Sequence, residues 1–171
     1  MGGGKKNLSQ YEKSSLPDAK DFRFGIVVSE WNSEITEALF KGAFSVLKDC
    51  GVDDQKIFRL NVPGSFELTN GAKCMVENEK VDAVICLGCV IKGETRHFDF
   101  ICNAVAQGLT LLNVRFSIPF IFGVITADSM EQAKERAGGK HGNKGVEAAV
   151  TAIKMAALKN QFKKGKQIGF R

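Results

Sequence analysis

His97 is the residue of this sequence best suited to acid/base chemistry. It is one of two histidines and stands in the segment GCVIKGETRHFD, residues 88–99. An imidazole has an ordinary pKa of about 6.5, so it exchanges a proton near neutral pH. The alternative is a packed or surface histidine without a chemical role. The second histidine, His141, falls in the glycine-rich run GGKHGNKG and is expected to be a loop residue.

Three residues just before His97 form a candidate phosphate site. Gly93, Glu94 and Thr95 fall where a predicted strand ends and a predicted helix begins. Free backbone N–H groups at such a junction can hold an anion, provided that the Glu94 carboxylate points away. The alternative is that Thr95 caps the helix and Gly93 supplies the turn, and the spacing does not choose between the two.

Arg136, in the segment ERAG, is a second candidate for binding phosphate. Its guanidinium can hold a phosphate through two parallel hydrogen bonds. The alternative is an ordinary surface ion pair with Glu131 or Glu135.

Two aromatic residues and a carboxylate indicate a site for a flat ring that carries hydroxyl groups. Trp31 and Phe66 each follow a predicted strand, where an exposed aromatic side chain can stack on a heterocycle. Glu67 can accept hydrogen bonds from hydroxyl groups. The alternative is that both aromatics belong to the core and that Glu67 completes a capping box that begins near Gly64.

The cysteines and histidines indicate neither a disulfide framework nor a metal site. Five cysteines, an odd number, occupy positions 50, 74, 86, 89 and 102 within apolar segments, where free cysteine behaves as a small hydrophobe. Cys86 and Cys89 form a Cys-x-x-Cys pair, but residues three apart in a strand face opposite sides and no second ligand pair exists. We therefore expect no metal site.

The elements that must position these residues alternate regularly. Apolar runs typical of buried strands cover residues 22–29, 56–62, 83–91 and 119–126. Helical patterns cover 33–50, 65–78, 98–114, 129–137 and 144–162. Ser33 and Ser129 are the expected caps of the first and fourth helices, and Gly51 is expected to end the first helix in a left-handed turn.

This alternation predicts a three-layer α/β/α sandwich around a four-stranded parallel sheet, because strands that are apolar on both faces need helices on each side. Ligands of such sheets bind beyond the carboxyl ends of the strands. The loops there contain Trp31, Phe66, Glu67 and the residues from Gly93 to His97. A sheet of four strands leaves edges and helix faces uncovered, which favours self-association.

The charge lies mainly at the chain ends. The net charge is +5, and residues 159–171 alone contain five Lys and Arg and no acid. We predict a flexible N-terminal segment over 1–21, a folded domain over 22–158 and a basic tail over 159–171. No aromatic residues interleave with a basic stripe, so no nucleic-acid partner is expected. Neither a membrane span nor an apolar leader is evident, and a cytoplasmic location is expected.

Six blocks, in order, carry a resemblance to a known family: Trp31-Asn32, VPGSFE (62–67), residues 88–99 with a KGxTxHF core, FIFGVIT (120–126), ERAG (135–138) and GNKG (142–145). Over residues 22–158 the sequence resembles the lumazine synthases, flavodoxin-like transferases of riboflavin biosynthesis. The resemblance implies condensation of 5-amino-6-(D-ribitylamino)uracil with 3,4-dihydroxy-2-butanone 4-phosphate without metal or cofactor.

The resemblance also implies roles for individual residues. His97 would shuttle protons. The residues implied for the ribitylaminouracil are Trp31, Ser65, Phe66, Glu67, Cys89, Val90, Ile91 and Phe122, the last reaching a neighbouring subunit's site. The residues implied for the butanone phosphate are Glu94, Thr95 and Arg136. Asn32 and Lys144 are further candidates.

The family assembles pentamers in which adjacent subunits complete each active site, and some members close twelve pentamers into an icosahedral shell. The short connection over 137–144 resembles that of shell-forming members. Riboflavin synthase would be the functionally coupled enzyme.

Three positions depart from the common pattern of the family. Lys92 replaces a frequent arginine, Glu94 a frequent small residue, and Trp31 the usual phenylalanine. The larger indole predicts retention of flavin or product. Two rival functions each rest on a single feature. Trp31 would suit a protein that stores flavin without catalysis, and the basic tail would suit a structural cage or a nucleic-acid binder.

Overall fold

A four-stranded parallel sheet runs through the middle of the molecule. The computed structural model describes residues 9–165. The strands are β1 (Phe24–Ser29), β2 (Ile57–Val62), β3 (Ala83–Ile91) and β4 (Phe120–Ala127), in the spatial order β2-β1-β3-β4. All three neighbouring pairs are parallel. The predicted three-layer sandwich is confirmed.

Within residues 9–165, five α-helices cover the sheet and enclose two separate apolar cores. They are α1 (Ser33–Asp49), α2 (Leu68–Asn78), α3 (His97–Arg115), α4 (Met130–Glu135) and α5 (Lys144–Gly165). The helices α1, α4 and α5 contribute to the core on one face of the sheet, and α2 and α3 to the core on the other. The sheet therefore holds together two layers that bury apolar area independently.

Strand β3 shows why the strand runs are apolar on both sides. Its first seven residues are all buried, because a central parallel strand is covered on each face. Ile85 and Leu87 belong to one core, and Val84 and Cys86 belong to the other. Cys89 lies on the face opposite to Cys86, as the spacing in the Cys-x-x-Cys pair predicts.

Two helix starts differ from the predictions. Ser33 is the first residue of α1 rather than its cap, and Asn32 occupies the cap position with a left-handed backbone at φ 59°. Helix α2 begins at Leu68 rather than at residue 65. Two other predictions are confirmed: Ser129 Oγ accepts a hydrogen bond from the Gln132 N–H at 3.3 Å, and Gly51 ends α1 at φ 87°.

A small antiparallel hairpin separates α4 from α5 and was not predicted. It consists of β5 (Ala137–Gly139) and β6 (Gly142–Asn143). The predicted helix over 129–137 therefore ends earlier, at Glu135. Asn143 anchors the hairpin, since its Nδ2 donates to the Ala38 carbonyl at 3.0 Å and its Oδ1 accepts from the Gly145 N–H at 2.8 Å.

The described part of the N-terminal segment packs on the body of the molecule, and the C-terminal segment begins as a continuation of a helix. Within the predicted flexible segment 1–21, Ala19 is buried and Tyr11 and Leu16 pack against the core beneath α1 and α5; residues 1–8 lie outside the described residues. Helix α5 continues to Gly165 through the first part of the predicted basic tail, and residues 166–171 lie outside the described residues. Within residues 9–165, no helix combines the length and apolar character of a membrane span.

Candidate active site

A cavity of about 160 Å³ lies at the carboxyl ends of the strands, where the topology predicts the site. It is lined by Trp31, Asn32, Ser65, Phe66, Cys89, Val90, Ile91, His97 and Ile101. All but Ile101 are among the candidates from the sequence. Ile101 follows His97 by one helical turn, so the helical period could have identified it.

Cavity size alone does not locate this site. A cavity of about 520 Å³ lies between β2 and α2, and one of about 430 Å³ lies between α2 and α3. Neither contains a histidine, and neither is formed by loops from several strand ends. The smaller cavity is the one that combines an imidazole with aromatic walls and backbone polar groups.

His97 is exposed at the first position of α3. Its backbone N–H donates to Thr95 Oγ1 at 3.4 Å, but Arg96 occupies the cap position of α3 and no side chain caps the helix, so the alternative that Thr95 is the cap is wrong. The preceding loop is open, because a Cβ placed on Gly93 would find no atom within 4 Å. Glu94 and Thr95 are both exposed, so their backbone is accessible to a ligand.

Both aromatic candidates are exposed, so the alternative that they belong to the core is wrong. Trp31 is 66% exposed and Phe66 is 55% exposed. The indole lies against Gly64, where an added Cβ would come within 2.8 Å of the Trp31 Cε3 atom. The sequence pattern indicates Gly64 only as the start of a capping box, and its contact with the indole depends on the tertiary structure.

Ser65 and Glu67, the polar candidates in the loop after β2, make hydrogen bonds within the protein. Glu67 Oε2 accepts from the Gly64 N–H at 3.0 Å, which is the contact of the capping alternative, although α2 begins only at Leu68. Ser65 is buried, and its Oγ donates to the Cys89 carbonyl at 3.4 Å. Glu67 does not line the cavity.

The thiols near the site are not nucleophiles at neutral pH. Burial raises the pKa of Cys89 to about 11 and that of Cys86 to about 12, because a low-dielectric surrounding disfavours the thiolate. Among residues 9–165, no group of three His, Cys, Asp or Glu side chains could hold a metal ion. The imidazole of His97 is thus the side chain of this cavity left as a candidate for acid/base chemistry.

Phe122 does not reach the cavity of its own chain. It lies on the edge strand β4, 39% exposed, and its register partner on β3 is Cys86. Val90 is opposite Thr126, four residues further along β4. At about 3.3 Å per residue the separation along the strand is about 13 Å.

Arg136 and Lys144 form a separate cluster around Glu147. Arg136 Nη2 lies 3.2 Å from Glu147 Oε1, and Lys144 Nζ lies 3.1 Å from Glu147 Oε2. Arg136 Nη1 also donates to the His141 carbonyl at 3.1 Å. The expected ion pair of Arg136 with Glu131 or Glu135 is wrong. Neither Arg136 nor Lys144 lines the cavity that contains His97.

Comparison with known proteins agrees with this geometry. The sequence profile of the 6,7-dimethyl-8-ribityllumazine synthase family matches residues 21–160. A protein of that name from Flavobacterium johnsoniae is 61% identical over 156 residues, 91% of this chain and 82% of the relative. Namesakes from Cytophaga hutchinsonii and Christiangramia forsetii are 59% and 58% identical over 92% of this chain and 98% and 94% of their own. The chain belongs to the 6,7-dimethyl-8-ribityllumazine synthase family.

Proposed function

We propose that this protein is a transferase of riboflavin biosynthesis that makes 6,7-dimethyl-8-ribityllumazine. It condenses 5-amino-6-(D-ribitylamino)uracil with 3,4-dihydroxy-2-butanone 4-phosphate and releases phosphate and water. The observation that carries the proposal is the single cavity in which an exposed indole, strand-end backbone groups and His97 meet. Family membership supplies the identity of the two substrates.

The pyrimidine stacks on Trp31 and lies along the end of β3. The exposed indole offers a flat apolar surface, and Cys89, Val90 and Ile91 supply the opposite wall with their main-chain polar groups. Ser65, Phe66 and Glu67 hold the ribityl chain at the start of α2. This arrangement recognises the ring mainly by stacking and by main-chain groups, so the protein needs few polar side chains for it.

The butanone phosphate binds at the loop before α3. The backbone N–H groups of Glu94 and Thr95 lie at the N-terminal end of that helix, where partial positive charge favours an anion. Support comes from the exposure of this loop and the open space beside Gly93. The residues that bind the phosphate directly precede His97, so the phosphate lies close to the imidazole.

His97 moves the protons of the condensation. The 5-amino nitrogen attacks the ketone and an imine forms with loss of water; phosphate then leaves by elimination. The ribitylamine nitrogen closes the second ring, and a second water leaves. Acid/base catalysis by one side chain contributes about 10² to 10⁴ in rate, so holding the two substrates in line supplies much of the remainder.

Adjacent subunits complete each site in a pentamer. Only Val105, Leu109 and Leu112 are buried on α3, while Phe100, Leu111 and Val114 are exposed. This uncovered face needs a partner. Phe66 lines both the active-site cavity and the 430 Å³ cavity between α2 and α3, so the uncovered surface is continuous with the site.

Phe122, Arg136 and Lys144 act in a neighbouring copy's site. Each lies away from the cavity of its own chain, and Phe122 is exposed on an edge strand, where another subunit can meet it. We further propose that twelve pentamers close into an icosahedral shell, with support from the short hairpin connection between α4 and α5.

The remaining assignments follow from this role. The enzyme acts in the cytoplasm, and riboflavin synthase consumes its product. No nucleic acid or membrane takes part. The division into a segment 1–21, a catalytic domain 22–158 and a basic tail 159–171 also stays a proposal.

A spectrophotometric assay with both purified substrates tests the proposed function. Formation of the lumazine chromophore that depends on both substrates is expected. A second candidate is flavin storage, which the 66% exposure of Trp31 favours. Tight riboflavin binding without any turnover would favour storage and contradict the enzyme. Size-exclusion chromatography with light scattering measures the assembly mass.

A further inference from the structure

Asn32 has an unusual backbone conformation beside the active-site cavity. Among residues 9–165 it is the one non-glycine residue with a positive φ, at φ 59° and ψ 46°. Asparagine tolerates this left-handed region better than most residues, but it is still disfavoured. Such a conformation persists only where the surroundings hold it, and it is frequent at functional sites.

Three hydrogen-bonded connections hold this conformation. The Asn32 Nδ2 donates to the Cys89 carbonyl at the end of β3, at 3.1 Å. The Asn32 carbonyl accepts from the Ile35 and Thr36 N–H groups and so begins α1. The preceding N–H, that of Trp31, donates to the Pro63 carbonyl at 3.0 Å. The loop is thereby tied to β3, α1 and the loop after β2.

These connections keep Trp31 and the end of β3 in the walls of one cavity. Asn32 is the residue between the indole and the helix, and its amide fixes the distance from this loop to Cys89. The Cys89 carbonyl also accepts from Ser65 Oγ. A carbonyl oxygen can accept two hydrogen bonds, and here both come from protein side chains.

We propose that Asn32 is a positioning residue, whose left-handed backbone and amide bond to Cys89 together set the gap between the Trp31 indole and the end of β3. The flat substrate enters this gap. This inference rests on the proposed function for the identity of the ring. It assigns Asn32 no contact with the reacting atoms.

Three substitutions separate the two parts of this role. Asn32→Gly keeps the left-handed backbone and removes the amide, Asn32→Ala removes both, and Asn32→Asp replaces the donor by an acceptor that faces the Cys89 carbonyl. Asn32→Ala is expected to raise the KM for the pyrimidine about tenfold, the scale of one lost hydrogen bond, and Asn32→Gly less. The KM for the butanone phosphate and kcat are expected to change less than about twofold, because the phosphate loop and His97 make no bond to Asn32.

Trp31 is the only tryptophan of the chain, so its fluorescence reports on this loop alone. Greater quenching by acrylamide is expected in Asn32→Ala and Asn32→Asp, with partial recovery in Asn32→Gly. Asn113→Ala is the matched control: its amide joins α3 to the Phe120 backbone, away from the cavity. It is expected to lower the Tm without changing either KM.

Unchanged fluorescence in all three variants would overturn the proposal, as would an equal rise in both KM values. The fluorescence measurement needs no turnover. An inactive wild-type protein would therefore contradict the proposed function, while the role of Asn32 would still be tested by quenching and by titration with the pyrimidine alone.

Discussion

Two regions carry candidate binding residues, and they differ in whether those side chains already form ion pairs within the chain. In the cavity, Trp31 and His97 are exposed and the loop at Gly93 is open. In the hairpin region, Arg136 and Lys144 are already paired with the nearly buried Glu147. The first region can receive a ligand as it stands, whereas the second has its charges satisfied within the chain.

The difference separates two kinds of binding group. Some side chains can stay exposed until a ligand binds, whereas charged side chains that are partly buried need an ion-pair partner within the protein. A stacking surface costs little to leave exposed. A partly buried guanidinium, in contrast, needs a counter-charge to offset its loss of hydration. Glu147 supplies that counter-charge and holds the guanidinium in place.

The largest effect is expected from removing the imidazole. His97→Ala is expected to lower kcat about 10²-fold to 10³-fold without abolishing turnover, because positioning of the substrates remains. Steady-state kinetics measure this change. His141→Ala, which removes the other imidazole while keeping the backbone carbonyl that Arg136 binds, is the control and should be near wild type. Full activity of His97→Ala would exclude the assigned role.

The second largest effect is expected in the hairpin region. Glu147→Gln leaves Arg136 and Lys144 without their counter-charge and is expected to cost about 2 to 4 kcal/mol of stability. The shift in Tm measures this loss. The KM for the butanone phosphate should rise, because the Arg136 guanidinium loses the carboxylate that orients it, while the KM for the pyrimidine stays constant. An equal change in both KM values would show that the two regions are not separable.

A smaller effect is expected where Trp31 meets Gly64. Gly64→Ala places a Cβ within 2.8 Å of the Trp31 Cε3 atom, so the indole must move, and the pyrimidine KM should rise several-fold. The double variant Gly64→Ala/Trp31→Phe should recover part of this loss, because a smaller ring relieves the contact. Strict additivity of the two changes would argue against the steric explanation.

The smallest effect concerns a buried hydroxyl near the Asn32 loop. Thr36 is fully buried, and within residues 9–165 its Oγ1 has no hydrogen-bond partner. Thr36→Val is expected to leave stability unchanged or raise it by up to about 1 kcal/mol, since it removes a desolvated polar atom. Thr151→Val is the comparison, because its Oγ1 donates to the Glu147 carbonyl at 2.8 Å. Chemical denaturation measures both, and a loss of stability in Thr36→Val would contradict this account.

The central strands were predictable because their signal is local and strong. The run over 83–91 is apolar throughout and stops at Lys92, and β3 has these bounds. The hairpin over 137–143 was missed, because short glycine-rich strands have no alternation of apolar and polar residues. Ser33 has the right type for a cap, but the left-handed Asn32 takes that position.

The same contrast holds in the site. The loops that contain Trp31, Ser65 and His97 follow from the strand order, because parallel strands end at one edge of the sheet. The partner of Arg136 did not follow. Glu147 lies eleven residues away, on another helix, and a hairpin brings it within 3.2 Å.

Periodicity and residue type in the sequence determined the layers, the edge of the sheet that holds the site and the residues able to do chemistry there, since these depend on local patterns. Tertiary structure alone decided that Trp31 is exposed, that the Asn32 backbone is left-handed and that Glu147 holds both cations. The first two depend on contacts with segments far away in sequence, and Arg136 meets Glu147 only because the hairpin between α4 and α5 folds back, so no local pattern contains these distances.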